Sequence, residues 1–183
     1  MESLRTSHVI ILPGLGNSGP DHWQSLWEKS NPEFSRIEHD EWEHPNCATW
    51  VSKLEETVSK KGPHTFLVAH SLACLLVAHW SKNTRQSVLG ALLVAPPDPG
   101  SSAFPNDLST FAHFPKIKLR FPCIVVGSEN DAYGSISFSK DCALCWGGEF
   151  VNAGNAGHIN TDSGYGVWEQ GEQLLKKLQA TYE

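Results

Sequence analysis

Short, wholly apolar runs alternate with longer stretches in which apolar and polar positions recur at helical spacing. His8-Val-Ile-Ile-Leu12 is β-branched, apolar throughout and ended by Pro13-Gly14, the pattern of a buried strand. Similar runs at 65–69, 88–95 and 123–126 predict three more strong strands, and 34–37 and 149–151 two weaker ones. Between them, 49–60 carries Trp50, Val51, Leu54 and Val58 on one helical face. Further helices are predicted over 21–29, opened by Pro20-Asp21, and over 72–80, 135–146 and 167–180. The stretch 96–118 is rich in Pro, Ser and Phe and has no period; in a compact domain such a stretch is usually functional or mobile. Regular alternation of strand and helix predicts an α/β fold, a mostly parallel sheet of about six strands with helices on both faces. Right-handed crossovers would place the first strand centrally, with the chemistry beyond the carboxyl ends of the strands.

With 183 residues, no internal repeat and no linker, a single domain over 1–183 is expected. Eighteen aromatic residues (seven Trp, eight Phe, three Tyr) exclude a disordered chain. A net charge of −6 without a basic stripe argues against nucleic acid or an anionic membrane surface as partner. No apolar run approaches the roughly 20 residues of a membrane span. The opening Met1-Glu-Ser-Leu-Arg-Thr-Ser7 lacks a signal pattern. Five scattered cysteines fit reduced thiols, and with them a cytoplasmic location. Cys142-Ala-Leu-Cys145 has no second pair and falls within a helical pattern, so no metal or redox site is expected there, and no cofactor.

The strand-end loops carry the chemistry. Ser71 stands where the 65–69 strand runs into the 72–80 helix, with small Ala69 and Ala73 two residues to either side. That is the context of a nucleophile elbow, usually Gly-x-Ser-x-Gly, which lifts a hydroxyl beside a helix N-terminus. A serine capping an ordinary helix would read the same way in isolation. In this architecture a serine nucleophile is followed by an acid and then a histidine. Asp131 lies in the loop after the 123–126 strand, and His158 in the loop after the 149–151 strand. Asp98 is the alternative acid, and Glu129 reads as a solvated loop charge. His70 reads as structural. His39 and His44 read as surface or packing residues, with contact to a substrate as the alternative.

An oxyanion hole would draw on the backbone N–H of Leu72, after the serine, and on that of Leu15, in the glycine-rich loop 12–19. The letters Gly14-Leu-Gly-Asn-Ser-Gly19 also spell GxGxxG, but no Lys-Ser/Thr follows, and Glu38 fits a ribose-binding role poorly. Trp42, Pro96, Phe104 and Phe111 are candidates for an apolar substrate wall, as are Pro45, Pro97 and Phe114.

The segment from Leu12 to Glu28, the Ala69–Ala73 elbow, Glu129-Asn-Asp131-Ala-Tyr133 and the segment from Gly157 to Trp168 resemble small bacterial serine hydrolases related to retinoblastoma-binding protein 9. The resemblance spans nearly the whole chain. It implies a minimal α/β-hydrolase fold without a large cap and a Ser–Asp–His triad falling on Ser71, Asp131 and His158. Alanine replaces glycine at 69 and 73, and Leu72-Ala-Cys74-Leu-Leu76 lacks the Glu of LxCxE. Binding to the retinoblastoma protein is therefore not expected. The expected partner is a small acyl substrate, an ester or amide, cleaved through an acyl-enzyme. A non-catalytic binding or scaffold protein on the same fold is the alternative, and perhydrolysis or transacylation would use the same residues.

Overall fold

The computed structural model describes residues 7–182. Residues 1–6, on which most of the signal-pattern expectation rests, and residue 183 lie outside them. Six strands form one sheet: β1 (His8–Leu12), β2 (Phe34–Arg36), β3 (Thr65–His70), β4 (Gly90–Val94), β5 (Cys123–Gly127) and β6 (Glu149–Asn152). Their order is β2-β1-β3-β4-β5-β6, and every neighbouring pair is parallel. The expectation of a central first strand needs correction. β1 lies second from one edge: the first of the five connections steps outward to β2, the second returns past β1 to β3, and the remaining three step on from β3 in the same direction.

The helices are α1 (Trp23–Ser30), α2 (Cys47–Lys61), α3 (Leu72–Ser81), α4 (Ile136–Trp146) and α5 (Glu169–Gln179). Side chains alternate across each strand, and both sheet faces are covered, which is why the strands read as unbroken apolar runs. Ile10, Leu67, Leu93 and Val125 point into one core with Trp50, Trp80 and Trp146 from α2, α3 and α4. Val9, Phe66, Leu92 and Ile124 point into the other with Trp23, Trp27 and Trp168 from the α1 and α5 side. Each of these indoles removes some 150–250 Å² from water, roughly 5 kcal/mol of transfer free energy per ring.

α1 starts at Trp23, two residues later than the Pro20-Asp21 signal predicts. The His22 side chain caps it instead, with Nδ1 accepting from Gln24 N–H at 3.1 Å. The 96–118 stretch contains a 3₁₀ turn at Asn106–Phe111, pinned by buried Leu108 and Phe111. Among the described residues, no helix is long and apolar enough to cross a membrane, and no cluster of His, Cys, Asp or Glu could hold a metal ion.

Candidate functional site

β3 ends at His70, α3 begins at Leu72, and Ser71 between them takes φ 56°, ψ −124°. A non-glycine residue enters positive φ only where the surroundings hold it there. Here Ser71 N–H donates to Val94 O at 2.9 Å, tying the turn to the end of β4. Ala69 and Ala73 are fully buried beside it. The serine side chain caps nothing, so the helix-cap alternative is not what the structure shows. Its hydroxyl stands free of the backbone.

The loops after β5 and β6 bring two further side chains to that hydroxyl. His158 Nε2 lies 2.7 Å from Ser71 Oγ, and His158 Nδ1 lies 2.9 and 3.0 Å from the two carboxylate oxygens of Asp131. A carboxylate only accepts, so Nδ1 carries the proton and Nε2 accepts from the serine. The Asp131 side chain is 1% exposed and that of His158 12%, so the pair is screened little by water. Asp131 also accepts Tyr133 N–H at 2.9 Å, which fixes the carboxylate's orientation. The Tyr133 ring lies 4.7 Å from the imidazole, centroid to centroid.

The two loops are stitched together by small polar groups. Asn130 Oδ1 accepts Gly157 N–H at 2.7 Å, and Ser128 Oγ accepts Ala156 N–H at 3.0 Å. Glu129, read as a solvated charge, accepts from Asn152. Asp98, the alternative acid, instead accepts Gly100 N–H at 2.8 Å.

The glycine-rich loop after β1 lies against the elbow. A Cβ on Gly14 would stand 3.0 Å from His70 O and from Ser71 Cβ, and 3.3 Å from Leu72 N, so only glycine lets the backbone approach so closely. Leu72 N–H belongs to the first turn of α3 and has no intrahelical acceptor. Leu15, Leu72 and Ser71 line one cleft. Fully buried Gln24 holds this corner together: its Nε2 donates to Leu12 O and Val68 O, both at 3.1 Å, and its Oε1 accepts Ser18 O–H at 2.7 Å. Arg36 braces the loop from outside, donating to Asn17 Oδ1 and Ser18 O while paired with Glu28.

The cleft above Ser71 has a volume of about 380 Å³. Of the four wall residues expected from the sequence, Phe104 lines it and the other three do not. Trp42 packs edge-on against His39 and Trp50. Phe111 is fully buried against Trp50. Pro96 is buried, its carbonyl so close to Gly134 that a Cβ there would lie 2.3 Å away. Its neighbour Pro97 faces the cleft, with Pro105 and Leu108. The lining also includes the polar Asn17, Ser18, Asn160, Thr161 and Asp162. Among the described residues, no lysine or arginine lines the cleft.

The profile of the serine hydrolase family matches residues 9–177. The chain belongs to that family. The hydrolase is 26% identical over 178 residues to YdeN of Bacillus subtilis strain 168, covering 87% of this chain and 90% of that protein. It superposes on a YdeN-like protein of Pectobacterium atrosepticum SCRI1043 with a TM-score of 0.86 and 28% identity, covering 97% of this chain and 92% of the other. The B. subtilis ydeN gene product gives a TM-score of 0.78 at 20% identity over 96% of this chain and all of that one, a likeness of fold.

Two buried histidines are expected to make the fold acid-sensitive. Burial, helped by Arg36 and His158, lowers His22 to about 4; burial and Lys53 lower His39, stacked on Trp50 at 4.0 Å, to about 4. Unfolded, both titrate near 6.5, so between pH 4 and 6.5 the unfolded chain binds more protons. Stability from these rings is fully present above about pH 6.5 and is lost as pH falls toward 4. Urea unfolding at pH 5 should show a loss of about 2 kcal/mol per ring relative to pH 7. A His39→Gln variant should have a shallower pH dependence, and an unchanged slope would contradict the assignment.

Proposed function

We propose that the protein hydrolyses small, uncharged carboxylic esters by acyl transfer through Ser71. The observation that carries this reading is the 2.7 Å contact between Ser71 Oγ and a His158 whose other nitrogen faces a buried carboxylate. In the first step His158 Nε2 takes the hydroxyl proton as Oγ bonds to the substrate carbonyl carbon. Asp131 holds the imidazole orientation and stabilises the imidazolium that forms. The Leu15 and Leu72 amides are assigned to the developing oxyanion. Collapse expels the alcohol, which takes the proton from His158 and leaves an acyl-Ser71 ester. Water, deprotonated by His158, then attacks that ester; the acyl–Oγ bond breaks, Ser71 Oγ takes the proton back from His158, and the acid is released.

The cleft supports the choice of substrate. Its volume suits a small or medium ligand. Phe104, Pro97 and Leu108 form an apolar wall for the acyl chain. Asp162 is the one carboxylate among the described residues lining the cleft, and no cationic side chain there offsets it. Treating the purified protein with a fluorophosphonate should give one adduct by intact mass, mapping to Ser71. A p-nitrophenyl butyrate should then be cleaved about 2- to 5-fold faster than the p-nitrophenyl succinate half-ester, a gap that narrows with salt because Asp162 is exposed. Absence of any adduct on folded protein would overturn the reading. Preference for the anionic ester would overturn the substrate class alone.

A further inference from the structure

His158 sits in a turn that the chain does not adopt without constraint. Gly157 before it takes φ 56°, and Ile159 after it takes φ 49°. For a β-branched residue that left-handed conformation is a true outlier. Two buried ring donors meet successive carbonyls of this turn. His70 Nε2–H donates to His158 O at 2.8 Å, and the Trp23 indole N–H donates to Ile159 O at 2.9 Å. Both donors are at least nine-tenths buried, Trp23 completely.

We propose that His70 and Trp23 are positioning residues, a two-point clamp that holds the His158 turn in its strained form so that Nε2 faces Ser71. The proposal rests on the reading of Ser71 as nucleophile and His158 as its base. His70 precedes Ser71 on the elbow itself. The same turn that presents the hydroxyl therefore also anchors the base, and the distance between them is set from one rigid point. Trp23 anchors the second carbonyl from α1, wedged against Trp27 and Trp168 with ring centroids 4.7 and 5.0 Å away. The His70 ring lies 5.0 Å from that of His158 and 4.9 Å from that of His22. Burial, with His158 and His22 nearby, holds His70 well below its usual pKa. An uncharged clamp adds no positive charge beside the imidazolium that His158 becomes.

Two readouts on the full chain test the clamp: the rate at which a fluorophosphonate modifies Ser71, and the far-downfield proton NMR signal of the His158 Nδ1–H shared with Asp131. In His70→Ala the modification rate should fall about 100-fold, the scale of an ångström's misplacement. The downfield signal should broaden or vanish while thermal unfolding stays cooperative. His70→Gln, which returns an N–H donor near the same place, should restore most of the rate and the signal. Trp23→Phe, which removes the indole N–H, should lose about tenfold, the worth of one hydrogen bond. The clamp is overturned if His70→Ala keeps the wild-type rate and signal, or if His70→Gln is as impaired as His70→Ala, since packing rather than the donor would then be responsible. If wild type shows the downfield proton yet does not react, the hydrolase reading falls. The clamp is then decided by the signal alone: lost in His70→Ala and restored in His70→Gln it stands, and retained in both it falls.

Discussion

Replacing Ser71 with alanine is expected to lower ester turnover by about 10⁶-fold, the scale measured when a triad nucleophile or its base is removed. Among the described residues, no thiol lines the cleft to take its place. Four of the five thiols, those of Cys47, Cys74, Cys123 and Cys142, are buried, and burial pushes each of them up, Cys47 to about 11 and Cys123 to about 12. His158→Ala should cost about as much, and the double variant little more, because serine and histidine act as a unit. Steady-state rates with p-nitrophenyl butyrate, corrected for spontaneous hydrolysis, measure this. Ser71→Ala retaining even a tenth of wild-type turnover would remove Ser71 from the mechanism.

Asp131→Asn should reduce turnover by about 10⁴-fold while leaving the fold intact. The asparagine oxygen can still accept Tyr133 N–H, as Asp131 does at 2.9 Å. The amide nitrogen would then face His158 Nδ1 and donate to it. That drives the proton to Nε2, where it points at Ser71 Oγ and leaves nothing to take the hydroxyl proton. An unchanged melting temperature with collapsed turnover is the expected pair of results. Near-normal turnover would mean that the 2.9 Å His158–Asp131 contact has no part in the reaction.

Much of the architecture was legible because the sheet is covered on both faces. Runs such as 8–12 and 123–126 are apolar at every position only when each side chain meets a helix layer, and that pattern marks a parallel strand. The starting point of α1 was not legible, because imidazole is an uncommon cap and Asp21 offers the commoner signal one residue earlier. The position of β1 depended on which way each crossover steps, which the chain does not spell out. Ser71, Asp131 and His158 stood out because each occupies a strand-end loop in a set order. The cleft wall was harder. Trp42 and Phe111 look like Phe104 in sequence, and only the packing against Trp50 separates a ring that fills the core from one that faces a ligand. Ser128 and Asn130 carried no signal, since small polar residues are ordinary in loops. Their importance lies in pairing with 154–157 across the site.

The strand order separates two kinds of inheritance. Ser71 comes directly after β3, Asp131 after β5 and His158 after β6, while β4, lying between β3 and β5, supplies none of the three. The connection leaving β4 is the 96–118 stretch, the source of Pro97, Phe104, Pro105 and Leu108. On the proposed reading, rewriting this one connection would reshape the apolar part of the cleft for a different substrate while Ser71, Asp131 and His158 stay where they are.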